Sequence, residues 1–179
     1  MIISYIGRRG AGKTLTMVKD IINFHQKGWK IYTNFPLFGI EHRELTNDEI
    51  IEMIHNEKIN NCVLAIDELQ TLLDSRKSMK KANMDFSYFI QQIRKRGMVL
   101  MSTQQFMDNV EKRFRQHVDI IVKPNAMKLP SGSMVVSVDY MDTTTEQDLG
   151  YIDTKSIVYD PSNVFDVYDT TQEQKSINL

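Results

Sequence analysis

Short apolar runs alternate along the chain with segments whose apolar side chains recur at helical spacing. Runs of the first kind occupy Ile2–Ile6, Cys62–Ile66, residues 98–102 and residues 118–122, and each has the length of a buried strand. Between the first two, apolar residues recur every three or four positions from 14 to 25, which predicts an amphipathic helix. Buried strands that alternate with helices are typical of a mostly parallel sheet covered on both faces. The pattern therefore predicts an α/β fold.

Further elements follow from local signals. A strand is predicted over residues 29–36, where Pro36 closes it, and a helix begins with a capping box of Thr46 and Glu49. A second amphipathic helix is predicted over residues 84–97, and a short basic helix precedes the strand at 118–122.

The pattern changes after Pro124. Residues 133–140 alternate between two faces, and with residues 156–159 they predict a small antiparallel β extension. We expect a single domain, in which residues 1–124 form the core and residues 125–179 form the extension and an acidic tail.

The composition is typical of a soluble globular protein, and the net charge does not indicate a binding partner. The 179 residues are 41% hydrophobic and 25% charged, with a net charge of −1, as is ordinary for a soluble globular domain. Seven basic residues and one acid lie between Arg76 and Arg96, whereas nine acids and two lysines lie between Asp139 and Leu179. The lone Cys62 cannot form an internal disulfide, and no apolar run approaches a membrane span. We expect a soluble, intracellular protein without a signal peptide.

The segment "GRRGAGKT" between the first strand and the first helix fits the pattern G-x-x-x-x-G-K-[ST]. Its glycines let backbone N–H groups turn toward a phosphate, and the helix that follows adds its positive dipole end. Lys13 is expected to reach the β- and γ-phosphates of ATP, and the Thr14 hydroxyl is expected to bind Mg²⁺. The alternative is a glycine turn with a surface lysine. The predicted nucleotide-binding residues are Gly7, Arg8, Arg9, Gly10, Ala11, Gly12, Lys13, Thr14 and Leu15.

Polar residues end two later strands. Asp67 directly follows the apolar run at Cys62–Ile66 and is expected near the Mg²⁺, while Glu68 is expected to orient and deprotonate an attacking water. Two surface acids at a helix start would look the same. Gln104 ends the strand "MVLMSTQQ" and is predicted to sense the γ-phosphate; Thr103 and Gln105 are less favoured, although sequence does not fix the register.

Phosphoryl transfer also needs positive charge on the departing phosphate, often from an arginine of a neighbouring subunit. Arg94 and Arg96 are the main candidates because they close the helix before the Gln104 strand, although basic residues favour helix C-termini anyway. Other candidates are Arg76, Arg113 and Arg115.

Taken together, "GRRGAGKTLT", "IYTNFPL", "AIDELQTLLDSRKSM", "SYFIQQIRKRGMVLMSTQQ" and "VEKRFRQHVDIIV" resemble the FtsK/HerA-type branch of P-loop ATPases. The closer likeness is to viral genome-packaging ATPases and Zot-like proteins. It covers residues 2–124, and "VFDVYDTTQEQ" looks like a closing segment of such ATPases. It implies a P-loop NTPase (RecA/ASCE-like) fold, with Lys13 and Thr14 in the nucleotide and metal roles, Asp67 on Mg²⁺, Glu68 acting on water and Gln104 as sensor. Arg94 or Arg96 matches the region of the arginine.

The resemblance further implies a homo-oligomeric ring, often a hexamer, that moves double-stranded DNA through its channel. Two features depart from the likeness: filamentous-phage Zot proteins generally carry a membrane-spanning segment, whereas from these residues we expect no such segment and no separate DNA-binding domain. DNA contact is therefore expected from the basic strip at residues 76–81, which could equally be a solvated charged face. We expect the protein in the host cytoplasm or on the virion.

Other function classes compete with a genome-packaging motor. A Zot-like assembly or export ATPase would dock on capsid or virion membrane proteins, through its acidic tail, without moving DNA. A small-molecule kinase would share the phosphate loop, yet no acceptor-site motif is evident. A DNA-binding module without catalysis would leave Lys13, Thr14, Asp67 and Glu68 unexplained.

Overall fold

The computed structural model describes residues 1–55, 59–74, 80–105, 112–149 and 152–169, with the backbone alone at 73–74, 80–85, 112–113 and 147–149. Eight strands lie in these ranges: β1 (Ile2–Ile6), β2 (Lys30–Thr33), β3 (Arg43–Glu44), β4 (Cys62–Ile66), β5 (Val99–Gln104), β6 (Ile120–Lys128), β7 (Met134–Asp142) and β8 (Asp153–Tyr159). The same ranges hold seven helices: α1 (Lys13–Gln26), α2 (Asn47–His55), α3 (Leu69–Asp74), α4 (Lys80–Gln92), α5 (Lys112–Arg115), α6 (Thr144–Leu149) and α7 (Ser162–Phe165).

The eight strands form one sheet in the order β3-β2-β4-β5-β1-β6-β7-β8. Neighbours from β3 to β6 run parallel, and β7 and β8 add antiparallel strands at the far edge. β5 lies between β1 and β4, with Ile6 opposite Gln104 and Ile66 opposite Ser102. The carboxyl ends of these three strands therefore meet at one edge of the sheet, which is where α/β folds place their ligands. The predicted α/β class with an antiparallel extension is confirmed.

Each face of the sheet carries its own apolar core. On one face α1 packs its buried stripe against alternate strand residues, and the members from α1 are Leu15, Met17, Val18 and Ile21. On the other face α2 and α4 cover the remaining strand residues, and their buried members include Ile50, Ile54, Phe86, Phe89 and Ile90. The two-faced burial explains why β4 reads as a continuous apolar run rather than an alternating one.

Tyrosines of β1, β7 and β8 tie α1 to the sheet. The Tyr5 hydroxyl donates to Asp20 over 2.8 Å, and the Tyr140 hydroxyl of β7 reaches the same carboxylate over 3.0 Å. In the first turn of α1, the Thr16 hydroxyl lies 3.1 Å from the Tyr159 hydroxyl of β8. The antiparallel extension thus holds the helix that follows the phosphate loop.

β6 is longer than the sequence pattern predicts. It runs to Lys128, past Pro124, and pairs with β7 along its whole length but with β1 only as far as Val122. A proline lacks the N–H of a ladder bond and is tolerated where one side of a strand has no neighbour. The parallel and antiparallel parts of the sheet therefore share one strand.

α4 begins and ends earlier than predicted, because residues 93–97 form turns that lead into β5. Gly97 has a φ of +60°, and the N–H of Met98 bonds to the Ile93 carbonyl over 3.1 Å, which closes the helix end. Within the described ranges, no helix combines the length and apolar character that crossing a membrane requires.

Candidate functional site

The phosphate loop connects the end of β1 to the start of α1, as the sequence predicts. Gly7, Gly10 and Gly12 have φ values of +152°, +76° and +88°. A Cβ on Gly7 would come within 3.3 Å of the Ala11 Cβ, and one on Gly12 within 3.4 Å of the Ala126 Cβ. Both conformation and space therefore favour glycine at these positions.

The first turn of α1 is suited to an anion. Gly12 caps the helix without a side-chain hydrogen bond from the described residues, and no acid lies in the first turn. The N–H groups of this turn and the helix dipole are thus available to a phosphate group. The Leu15 side chain is buried at 5% exposure in the core, so only its backbone can contribute.

The Lys13 ammonium bonds to the loop and feels the charges of two carboxylates. It donates to the Arg8 carbonyl over 3.1 Å. Partial burial lowers the pKa of Lys13, while the charges of Asp67 and Glu68 oppose the shift. A positive charge held beside a phosphate-binding loop matches the chemistry of a triphosphate.

Thr14 and Asp67 meet across the sheet edge. The Thr14 hydroxyl donates to Asp67 Oδ1 over 2.9 Å, although 53 residues separate them in the chain. Hydroxyl and carboxylate oxygens are the hard ligands that Mg²⁺ prefers. No group of three or more His, Cys, Asp or Glu suited to a metal occurs among the described residues. These two oxygens fit a Mg²⁺ that takes its remaining ligands from phosphates and water, as nucleotide-bound Mg²⁺ does.

Thr103, in β5, holds both acids in place. Its buried hydroxyl donates to Asp67 Oδ1 and accepts a hydrogen bond from the Glu68 N–H over 2.8 Å. From the sequence, Thr103 is less favoured than Gln104 as a residue that faces the nucleotide. Thr103 lies on the α1 side of the sheet because it continues the alternation of Val99 and Met101.

Asn34 is a second residue that the sequence argument missed. Its Oδ1 accepts from the Asp67 N–H over 2.7 Å, and its Nδ2 donates to the Asp67 carbonyl over 3.0 Å. The amide thus binds both backbone groups of Asp67 from the loop after β2. The signal was an asparagine at the end of the neighbouring strand, in "YTNFP".

Glu68 adopts a left-handed backbone conformation, with a φ of +52°. The Thr71 N–H and hydroxyl both donate to its carbonyl, over 2.8 and 2.9 Å. A side chain other than glycine in this region costs about 1–3 kcal/mol, and such residues cluster at functional sites. The turn directs the chain from β4 into α3 directly after Asp67.

The remaining loop residues border a cavity. It has a volume of about 630 Å³ and is lined by residues 6–11, by Gln105 and by residues 123–126 of β6. Arg8 and Arg9 lie on its loop side and are exposed. Its volume falls in the range of small-molecule sites.

The structure does not bring the Gln104 side chain to Thr14 and Asp67. Its side chain is 1% exposed, and its Nε2 donates to Ser4 Oγ in β1. Side chains alternate along a strand, so Ser4 lies on the same sheet face as Ile2, which packs in the core under α2 and α4. Gln104 bonds to Ser4 and therefore lies on this face, opposite Thr103. Its role as a sensor stays a prediction.

Arg94 and Arg96 lie near the amino ends of the parallel strands, opposite the end that carries the phosphate loop. Arg94 forms an ion pair with Asp119, whose second oxygen accepts from the Ile2 N–H over 2.7 Å at the start of β1. The Arg96 guanidinium lies 5.5 Å from the Phe89 ring centroid. Neither reaches this chain's own phosphate loop. Of the other candidates, Arg115 is described in α5, the Arg113 side chain is not, and Arg76 lies outside the described residues.

Comparison with known proteins identifies the family. The model of the ATPase family associated with various cellular activities (AAA) matches residues 3–125. No curated protein sequence matches the chain. The chain belongs to this AAA ATPase family.

Solved structures are similar in fold at low sequence identity. The N-terminal domain of zonular occludens toxin from Neisseria meningitidis is 17% identical with a TM-score of 0.62, over 94% of this chain and 98% of that one. B204, the DNA-packaging ATPase of Sulfolobus Turreted Icosahedral Virus, is 14% identical with a TM-score of 0.58, over 86% and 95%. The genome packaging NTPase B204 of Sulfolobus turreted icosahedral virus 2, in complex with ATP-gammaS, is 13% identical with a TM-score of 0.58, over 86% and 95%.

Proposed function

We propose that the chain is a Mg²⁺-dependent, ATP-hydrolysing motor that moves double-stranded DNA as a ring, in the manner of viral genome-packaging ATPases of the FtsK/HerA type. The observation that carries the proposal is the hydrogen-bonded set of Thr14, Asp67, Thr103 and the Glu68 backbone, next to Lys13. A simple phosphate-binding loop needs none of these acids. A hydrolase needs them, because metal and water must both be positioned at the γ-phosphate.

Lys13, Thr14, Asp67 and Glu68 each have a role in the proposal. The N–H groups of the loop and the Lys13 ammonium bind the β- and γ-phosphates. Thr14 and Asp67 hold Mg²⁺, which neutralises charge on the phosphates when bound. Glu68 takes a proton from the attacking water; its backbone N–H is held by Thr103, and its charge acts on Lys13 of the loop.

The placement of the arginines supports a ring. Because Arg94 and Arg96 lie at the sheet edge away from the loop, either could serve only the nucleotide of a neighbouring copy. The basic strip at residues 76–81 is the proposed DNA contact; residues 76–79 lie outside the described residues. A backbone-binding strip would act without sequence readout and would weaken with salt.

Phosphate release measured with and without duplex DNA tests the proposal. We expect DNA to raise turnover, salt to remove the increase, and Lys13→Ala or Glu68→Gln to abolish release. Charge removal at Lys77, Lys80 and Lys81 should remove the DNA effect but keep basal turnover, whereas the control Lys155→Ala, exposed on β8, should change neither. Unchanged turnover with DNA, in an assembled ring, would contradict translocation.

Mixed rings test the arginines. Native mass measurement with ATP gives the copy number. Arg94→Ala or Arg96→Ala subunits are then mixed with Glu68→Gln subunits. Recovery of phosphate release in the mixture would assign that arginine to a neighbour's nucleotide, and absence of recovery for both would remove them from the role.

A second candidate is a virion assembly or export ATPase that docks on capsid or membrane proteins without moving DNA. The fold likeness to the zonular occludens toxin domain, over 94% of this chain, favours it. The acidic tail would be the docking surface. Stable binding to purified capsid or virion membrane protein, with turnover indifferent to DNA, would favour this candidate over the motor. Both place the protein in the host cytoplasm or on the virion.

A further inference from the structure

The hairpin between β6 and β7 projects beyond the rest of the sheet. β6 pairs with β1 only as far as Val122, and β8 pairs with β7 only from Val136 onward. The two strands of the hairpin continue to pair with each other as far as Lys128 and Met134. We name residues 127–135 the hairpin tip. It has no neighbouring strand on either side within the described part of the chain.

The base of the hairpin is held against the phosphate loop. The Ala126 N–H donates to the Ala11 carbonyl of the loop over 3.1 Å. Val136 lies opposite Ala126 in the ladder and is fully buried. The hairpin tip therefore extends from a fixed support beside the nucleotide site, and a partner that docks on the tip lies close to that site.

The hairpin tip exposes apolar side chains. Met127, Leu129 and Met134 are between 38% and 43% exposed, and they are three of the seven large apolar side chains that are exposed in the described ranges. The one charged residue of the tip is Lys128, and the sequence holds no acid from 120 to 138. Exposed apolar side chains that cluster in this way indicate a contact with protein, and methionine adapts well to such contacts. Duplex DNA presents mainly phosphates, which these three side chains cannot bind.

A second exposed apolar surface is acidic. Phe38 is 46% exposed, and Phe165, at the end of α7, is 41% exposed. The Phe38 N–H donates over 2.8 Å to the carbonyl two residues after Phe165, which brings both phenylalanines to one region of the surface. Asp166 and Asp169 follow in the chain and are exposed, and the sequence holds no basic residue from 156 to 174. We name Phe38, Phe165, Asp166 and Asp169 the acidic patch.

We propose that the hairpin tip docks on the acidic patch of a second copy of this chain. The inference rests on the proposed function, because it supplies a contact between neighbours in the ring. Both surfaces are exposed in the same chain, so the tip does not cover its own patch, and a contact between them joins two chains. Apolar side chains meet on both sides, and Lys128 brings a positive charge to a negatively charged surface. Because the two surfaces differ, the contact is heterologous and repeats from copy to copy, as a ring requires.

Sedimentation at several protein concentrations, with ATP-gammaS, tests the contact. The tip variant combines Met127→Ser with Met134→Ser, and the patch variant is Phe165→Ser. We expect each variant to associate at least about tenfold more weakly than wild type, because apolar anchors of the contact are lost, and to bind ATP-gammaS as wild type does. The control Tyr88→Ser changes an exposed side chain of α4, on the sheet face that α1 does not cover, and should assemble as wild type does.

A mixture of the two variants tests whether the contact is heterologous. The tip variant keeps its acidic patch, and the patch variant keeps its hairpin tip. The mixture should therefore form pairs with one copy of each, detected by native mass measurement, although neither variant forms pairs alone. Full assembly of the tip variant, or no pairs in the mixture, would overturn the inference.

The outcomes separate this inference from the proposed function. A tip variant that assembles normally and still releases phosphate faster with DNA would refute the docking contact alone. A tip variant that assembles normally but no longer binds duplex DNA would also refute the contact, and would assign the hairpin tip to DNA. Wild-type protein that stays monomeric and whose turnover ignores DNA would refute the ring motor and the contact together.

Discussion

Replacing Thr103 with valine tests whether the two acids are held by β5. Valine keeps the shape of threonine and removes the hydroxyl that joins Asp67 to the Glu68 N–H. The site is fully buried, so water cannot replace the lost partner. The expected loss of stability has two causes: the hydrogen bond to the Asp67 carboxylate is removed, and the Glu68 N–H is left without a partner.

The magnitude follows from these two contacts. A hydrogen bond to a charged group contributes about 1.5–3 kcal/mol, and a buried N–H without a partner costs about 1–3 kcal/mol. Because both contributions come from one hydroxyl, they do not add fully. We expect the free energy of unfolding to fall by about 3 kcal/mol. For a domain of this size that lowers Tm by about 6–12 °C. Since Glu68 loses its anchor, phosphate release should fall at least about tenfold, equivalent to about 1.4 kcal/mol of activation free energy.

Ser102 supplies a matched control. It precedes Thr103 in the same strand and is equally buried, but its hydroxyl has no hydrogen-bond partner among the described residues. Ser102→Ala removes an unsatisfied hydroxyl and should leave the free energy of unfolding and the turnover close to wild type, or raise stability slightly. Thermal unfolding and phosphate release of both variants are the assay. Equal behaviour of the two variants would refute the role of Thr103.

Three further outcomes follow from the backbone and the thiol. Gly97→Ala places a Cβ against Asn61 Oδ1 at a residue whose φ is +60°, so it should destabilise more than Gly28→Ala, where φ is +82° and the space is open; the strain alone costs about 1–2 kcal/mol. Chemical denaturation measures the free energy of unfolding of both variants. Equal losses of stability would show that the contact with Asn61 has no effect. The buried Cys62 thiol, whose pKa burial raises to about 12, should react with a thiol reagent at pH 8 only as fast as the protein unfolds; rapid labelling of native protein would contradict its burial. Because the folded thiol keeps its proton above the unfolded pKa near 9, Cys62 should make stability fall as pH rises between about 9 and 12, relative to Cys62→Ala.

Local patterns were enough to locate the central elements. β1 and β4 have the predicted bounds, and β5 ends at Gln104 as expected. The capping box is present, since the Thr46 N–H donates to Glu49 over 2.8 Å. These elements depend on neighbours in sequence, or on burial from both sides, and both signals are visible in the residues themselves. β3, only two residues long, and the extension of β6 depend on pairing between distant strands and gave no local signal.

The site was predictable where a motif fixes it. The spacing of the phosphate loop located Lys13 and Thr14, and the strand end located Asp67 and Glu68; the structure brings these four together. Thr103 was ranked too low because side-chain direction depends on register, and one step along a strand exchanges the two faces.

Residues brought in from distant segments were not predictable. Asn34 reaches the backbone of Asp67 from the loop after β2, and only the folded sheet order places it there. The arginines show the same limit. Arg94 follows a helix that precedes the expected strand, yet its ion pair with Asp119 lies at the start of β1, away from the loop.

The most direct test separates nucleotide binding from hydrolysis at Glu68. ATP affinity and phosphate release are measured with Mg²⁺ for wild type, Glu68→Gln and Lys13→Ala. The geometry predicts that Glu68→Gln binds ATP with an affinity within a few-fold of wild type but releases phosphate at least about 100-fold more slowly. Lys13→Ala is expected to lose ATP binding as well as phosphate release. Phosphate release by Glu68→Gln at the wild-type rate would contradict the assignment of the hydrolytic site.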